Sequence, residues 1–131
     1  MVLDENKKST KNRRYIDSFK YAFIGVTTVF REERNMRTHV TLGLAAILLS
    51  LFCNLTTIEW LWMLLCVFLV FVMEIWNTVI ENVVDLVVDH HFHPIAKKAK
   101  DMAAAAVLVT SLFSLIVGGT ILLPKIFSWF V

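Results

Sequence analysis

From Ile58 to Val88 the chain runs without a glycine or a proline, and from Ile58 to Met73 its one charged side chain is Glu59. Nothing in that stretch stops a helix. At ~1.5 Å per residue such a helix is roughly 45 Å long, more than the ~30 Å of hydrocarbon in a bilayer. Its second half must therefore emerge from the membrane or sit inside a helix bundle. The whole chain of 131 residues is 57% hydrophobic and 18% charged, more apolar than soluble domains of this size usually are. Lipid is the natural solvent for that excess. A net charge of +2 gives no case for nucleic acid.

The other segments fall around this run. Residues 1–14 are polar and read as a flexible N-terminus. In 15–36, Ile16, Phe19, Phe23, Val26 and Phe30 recur at helical spacing among Lys20, Arg31 and Arg34. That pattern is too charged to span a bilayer and predicts an amphipathic helix on the membrane surface. Three spans follow, at 38–53, 58–88 and 98–123. Thr57 is a candidate cap for the second, Pro94 marks the break after it, and Pro124 marks the end of the third. No cleavable leader is expected, because the first 37 residues have no apolar core. Cys53 and Cys66 lie in apolar runs and read as packing residues.

Nine of the 13 Lys and Arg precede the first span, and Lys97, Lys98 and Lys100 lie between the second and third. The positive-inside rule then puts the N-terminus and this second loop in the cytoplasm. On the third span, Ala99, Ala103, Ala106, Thr110 and Ser114 share one face. Small faces allow close helix approach, either within the chain or between copies.

The chemistry is concentrated on the second span. At 100° per residue, Glu74, Asn77, Glu81 and Asp85 share an arc of roughly 80°. An ionised carboxylate at membrane depth costs a few kcal/mol at least unless paired, ligated or hydrated. Three acids and an amide suit a hard divalent cation such as Mg²⁺, which takes oxygen ligands and leaves room for phosphates. The plainer reading is a helix that has left the membrane with a solvated acidic face, but Val83, Val84, Leu86 and Val87 stay apolar there. On the same cytoplasmic side come Glu33, Asn35 and Arg37, then Lys97, Lys98, Lys100 and Asp101. Bases beside acidic metal ligands are what a polyphosphate needs, although Lys and Arg at helix ends also serve as topology signals and lipid contacts. His90, His91 and His93 match no closed zinc spacing. The four glycines build neither a Walker A loop nor a protein-kinase loop. Rival readings are an oligomeric ion pathway lined by the acidic stripe and a non-catalytic scaffold.

At these residues the chain resembles the small prokaryotic diacylglycerol kinases, and within them the undecaprenol kinases of Gram-positive bacteria. The resemblance is carried by EIWNTVIENVVDL (74–86), HPIAKKAKDMAAAAVL (93–108), FREERNMRTH (30–39) and SFKYAF (18–23), and covers roughly residues 14–123. It implies an all-α membrane fold, with an amphipathic surface helix and three transmembrane helices per chain in a homotrimer of the bacterial plasma membrane. Active sites are expected at subunit interfaces near the cytoplasmic face. ATP and a lipid alcohol are the implied substrates, undecaprenol ahead of diacylglycerol, with Mg²⁺ as cofactor. Glu74 matches the base that takes the lipid hydroxyl proton. Glu33 and Glu81 match metal ligands that also contact the nucleotide, and Asn77 and Asp85 match polar residues of the same site. Lys100, Asp101, Tyr21, His93 and Arg14 match nucleotide contacts. Glu74 and Ala104 match lipid-substrate positions; Ala103–Ala106 is an unbroken run where relatives often carry Gly or Ser.

Overall fold

A computed structural model describes residues 3–130, with side chains from Arg14 onward. Among the described residues the chain is entirely helical: α1 (Leu3–Glu32), α2 (Arg34–Ser50), α3 (Thr57–Val88) and α4 (Pro94–Phe127). Residues through Glu32 form one compact unit and those from Glu33 onward a second.

In the first unit, α1 begins at Leu3, so the helix reaches into the stretch expected as a flexible tail. No glycine or proline before Gly25 interrupts it. Residues 1 and 2 of that tail lie outside the described residues. The helix also ends earlier than the 15–36 expectation. Glu33 has an extended backbone, φ −94° and ψ 118°, and α2 starts at Arg34. Within REERNMR, Arg31 and Glu32 thus end α1 and Arg34 onward begins α2, with Glu33 the one residue outside a helix.

In the second unit, α2 has 17 residues, ~25 Å of helix. Two helices are long and apolar enough to cross a membrane, α3 with 32 residues and α4 with 34. They pack as an antiparallel pair. The small face of α4 turns inward: Ala103 is buried, and Ser114 Oγ donates to the Cys66 carbonyl of α3 at 3.3 Å and to the Thr110 carbonyl at 2.9 Å. The outer faces stay apolar, with Phe68, Leu115 and Ile116 all exposed. Apolar area of that extent asks for lipid or another protein surface.

The ends of α3 and α4 differ from expectation in three places. The cap of α3 is Thr56, not Thr57. Its hydroxyl accepts from the Glu59 N–H at 3.3 Å, and Glu59 Oε2 accepts from the Thr56 N–H at 2.7 Å. This reciprocal box outranks a lone threonine one residue later because it satisfies two orphan donors. Pro94 opens α4 rather than sitting in a loop. A first-turn proline loses no hydrogen bond, and its fixed φ suits a helix start. His93 caps it by accepting from the Ile95 N–H at 3.2 Å. Pro124 lies inside α4, which continues to Phe127; the helix bears the loss of the one bond that would run back to the Thr120 carbonyl.

Ion pairs close both ends of the α3–α4 pair. Glu59 meets Lys125 at 3.1 Å, and Asp85 meets Lys100 at 2.6 Å. Glu59 and Asp85 are ~39 Å apart along α3. At the Glu59 end, Cys53, Met63 and Leu122 form a buried cluster; both cysteines are buried and free. Asn54 makes the tight turn there with φ 48°, a left-handed conformation that Asn tolerates.

Replacing Thr56 by Ala removes half of the capping box. Unfolding stability in detergent micelles should fall by ~1 kcal/mol, read as a lowered thermal midpoint, and Thr56→Ser should recover most of it.

Candidate active site

On α3, one face goes from apolar to acidic without changing direction. Val70, Glu74, Asn77 and Thr78 are all buried, whereas Glu81 and Asp85 are half-buried. The stripe is thus deepest at Glu74, which is 1% exposed. Thr78 donates its hydroxyl to the Glu74 carbonyl at 3.1 Å, which satisfies its own buried group on the helix. No side-chain hydrogen bond or ion pair to the Glu74 carboxylate occurs among the described residues. The charges that bear on it are Glu33 and Glu81. Asn77 donates from Nδ2 to Glu81 Oε1 at 2.9 Å, while its Oδ1 is buried without a partner.

Glu33 arrives from another direction. As the extended residue ahead of α2 it is half-buried, and the seating of Met36 and Gly43, both buried, fixes the helix behind it. The structure therefore brings Glu33, Glu74, Asn77 and Glu81 into one acidic neighbourhood. Among the described residues, no three His, Cys, Asp or Glu side chains gather tightly enough to hold a metal by themselves. That bears on the choice of ion. A closed zinc-type site needs about four protein ligands, whereas Mg²⁺ typically takes one or two carboxylates and fills its shell with water and phosphate. An all-oxygen set that includes an orphaned buried carbonyl, Asn77 Oδ1, fits the second kind of ion.

Beyond the stripe, where α3 hands over to α4, lies a groove of about 430 Å³ lined by both apolar and charged side chains. It holds Asp85, His93, Lys100 and Asp101, four of the expected nucleotide contacts, together with His90, His91 and Lys97. The turn that shapes it holds Asp89 and His90 in left-handed conformations, φ 49° and 58°, and the His90 N–H donates back to the Asp85 carbonyl at 3.1 Å. Lys100 is tied to Asp85, and Lys97 meets Asp101 at 2.6 Å on the exposed surface of α4. The basic residues are thus charge-balanced before any anion arrives, and a polyphosphate has to compete for them.

The remaining expected site residues lie elsewhere. Arg14 and Tyr21 are exposed on α1, in the first unit. Ala104 is exposed on α4, beside the buried Ala103. Two residues gain importance that no charge announces. Thr78 shares the buried face of Glu74, a position its spacing of four reveals. Gly43 is buried against α3, and a single glycine in an apolar span gives little signal.

Two membrane-capable helices thus bury a carboxylate and lead to a groove of paired acids and bases, the arrangement of a membrane protein with a polar site. The family profile for prokaryotic diacylglycerol kinase matches residues 20–122. Over 111 residues the chain is 42% identical to a diacylglycerol kinase of Synechocystis, covering 85% of this chain and 63% of that protein. Over 124 residues it is 38% identical to an undecaprenol kinase of Bacillus subtilis, covering 95% of this chain and 100% of that one. A diacylglycerol kinase of Helicobacter pylori is 35% identical across 88% of this chain and 90% of its own length. The chain belongs to the prokaryotic diacylglycerol kinase family and is a lipid kinase by class.

Asp85 and Lys100 link the stripe to the groove. Asp85→Asn and Lys100→Met, made singly and together, should show a coupling of ~0.5–1 kcal/mol in unfolding stability, the range of a partly exposed pair. Additive effects would mean that the link carries no stability.

Proposed function

We propose that this protein transfers the γ-phosphate of ATP to the terminal hydroxyl of undecaprenol at the cytoplasmic face of a bacterial plasma membrane. The single observation that carries the chemistry is the buried carboxylate of Glu74 beside Glu33 and Glu81. The substrate choice leans on the Bacillus undecaprenol kinase, which this chain matches from end to end. Diacylglycerol is the second reading, favoured by the 42% identity to the Synechocystis enzyme. Both lipids present a primary hydroxyl at the interface, so the chemistry is the same.

The site residues take roles in order along α3. Glu74 accepts the proton of the lipid hydroxyl as its oxygen bonds to the γ-phosphorus and the bond to ADP breaks. Glu33 and Glu81 would hold Mg²⁺, which when bound neutralises charge on the phosphates. Asn77 fixes Glu81 through its amide. Lys100, held by Asp85, adds positive charge, and His93 and Asp101 contact the nucleoside end. Arg14 and Tyr21, the other expected nucleotide contacts, lie on α1 in the first unit, and Ala104 contacts the lipid. In this reading α2 is the first of three spans, α1 lies on the membrane surface, and three copies assemble with the sites between them. The exposed apolar faces of α3 and α4 support burial against lipid and neighbouring copies.

Glu74→Gln should abolish transfer of radiolabelled phosphate from ATP to undecaprenol in mixed micelles, yet leave ATP binding intact; retained turnover removes Glu74 from the role of base. Glu81→Gln should instead weaken Mg-ATP binding. Run with both lipids, the same assay ranks undecaprenol against diacylglycerol, and faster transfer to diacylglycerol reverses the substrate assignment.

A further inference from the structure

The buried residues of α2 are Met36, Gly43 and Ser50, one every seven positions. A seven-residue repeat draws a narrow seam along a helix and suits a shallow left-handed crossing. Gly43 is the middle of that seam. A β-carbon added there would lie 3.0 Å from Val67 Cγ1 and 3.5 Å from Phe71 Cζ of α3. Neither Gly25 nor Gly118 is so crowded: an added carbon at Gly25 meets nothing within 4 Å, and one at Gly118 meets the Met63 sulfur at 4.0 Å. A glycine inside a helix lowers its stability relative to alanine, so close approach to α3 is what this one supplies.

Glu33 sits at the end of the same helix. It is the residue just before the first turn of α2, ~15 Å along the axis from Gly43. A helix moves as a rod over that distance, so the seat at Gly43 sets where the Glu33 carboxylate lies against Glu74 and Glu81. We propose that Gly43 is a positioning residue for the cation site: by carrying no side chain it lets α2 seat on Val67 and Phe71, and this seat holds Glu33 beside the acids of α3. The inference rests on the reading of Glu33 and Glu81 as the pair that holds the divalent cation.

The test uses the full chain in detergent micelles. Mn²⁺, a visible substitute for Mg²⁺, is titrated in the presence of a non-hydrolysable ATP analogue and followed by electron paramagnetic resonance. Gly43→Val should weaken Mn²⁺ binding by about tenfold or more, the usual scale when a group that orients a metal ligand is lost. Val67→Ala in the same chain should restore most of that loss, because it clears the contact the new side chain makes. Gly43→Ala, which needs Val67 to give only slightly, covers the case in which the valine variant fails to fold, and it should show a smaller loss with the same rescue. Unchanged Mn²⁺ binding in the Gly43 variants overturns the proposal, as does a loss that Val67→Ala does not repair. Glu33→Gln, measured alongside, separates the two layers. If it binds Mn²⁺ as the parent does, the reading of the cation pair fails and the positioning role falls with it. If it binds weakly while Gly43→Val binds normally, only the positioning role falls.

Discussion

Taking a carboxyl group out of water is costly in its charged form unless something compensates it nearby, and α3 buries one at Glu74. The rest of the site is arranged about that cost. Asn77 spends its amide on Glu81. Glu33 adds a further negative group from the end of α2 rather than a balancing positive one. The ion pair of Asp85 with Lys100 is ~16 Å further along the helix. In the reading proposed above, an interior that gathers acids and keeps its lysines at a distance receives a cation together with an anion. The family assignment implies ATP as that anion.

Much of this was legible from residue types and spacing. The long uninterrupted helix follows from the absence of breakers between Ile58 and Val88, and its bounds, Thr57–Val88, fall within a residue of the expected ones. The gathering of Asp85, His93, Lys100 and Asp101 follows from a short turn between two long helices, which leaves their facing ends nowhere else to go. Helix ends were harder to place. Thr56 wins over Thr57 through a carboxylate three residues on, and Pro94 begins a helix because a first-turn amide is dispensable. In both cases the deciding factor is the hydrogen bond that is or is not available, which shows only when the residue is taken with its neighbours, as in Thr56 with Glu59.

The position of Glu33 lies between these extremes. Its acidity and its place before an apolar span drew attention to it, but its approach to α3 depends on how tightly α2 seats. That seat depends on the missing side chain of Gly43, on Val67 and on Phe71. Such information is carried by shape rather than by charge, and shape emerges only once two helices are docked. Arg14 and Tyr21 show the same limit more strongly, because α1 forms its own unit and their own exposure is all that the fold says of them.

The two ion pairs at the ends of the α3–α4 pair also act as a ruler. Their separation of ~39 Å exceeds the ~30 Å hydrocarbon thickness, and an ordinary tilt of ~20° shortens it only slightly. The apolar stretch from Ile58 to Met73 belongs in the oil, so the surplus protrudes on the side of Asp85 and Lys100. A thinner or thicker bilayer changes how far it protrudes. Under the proposed function, the depth at which the lipid substrate meets ATP would then vary with the thickness of the membrane as well as with the protein.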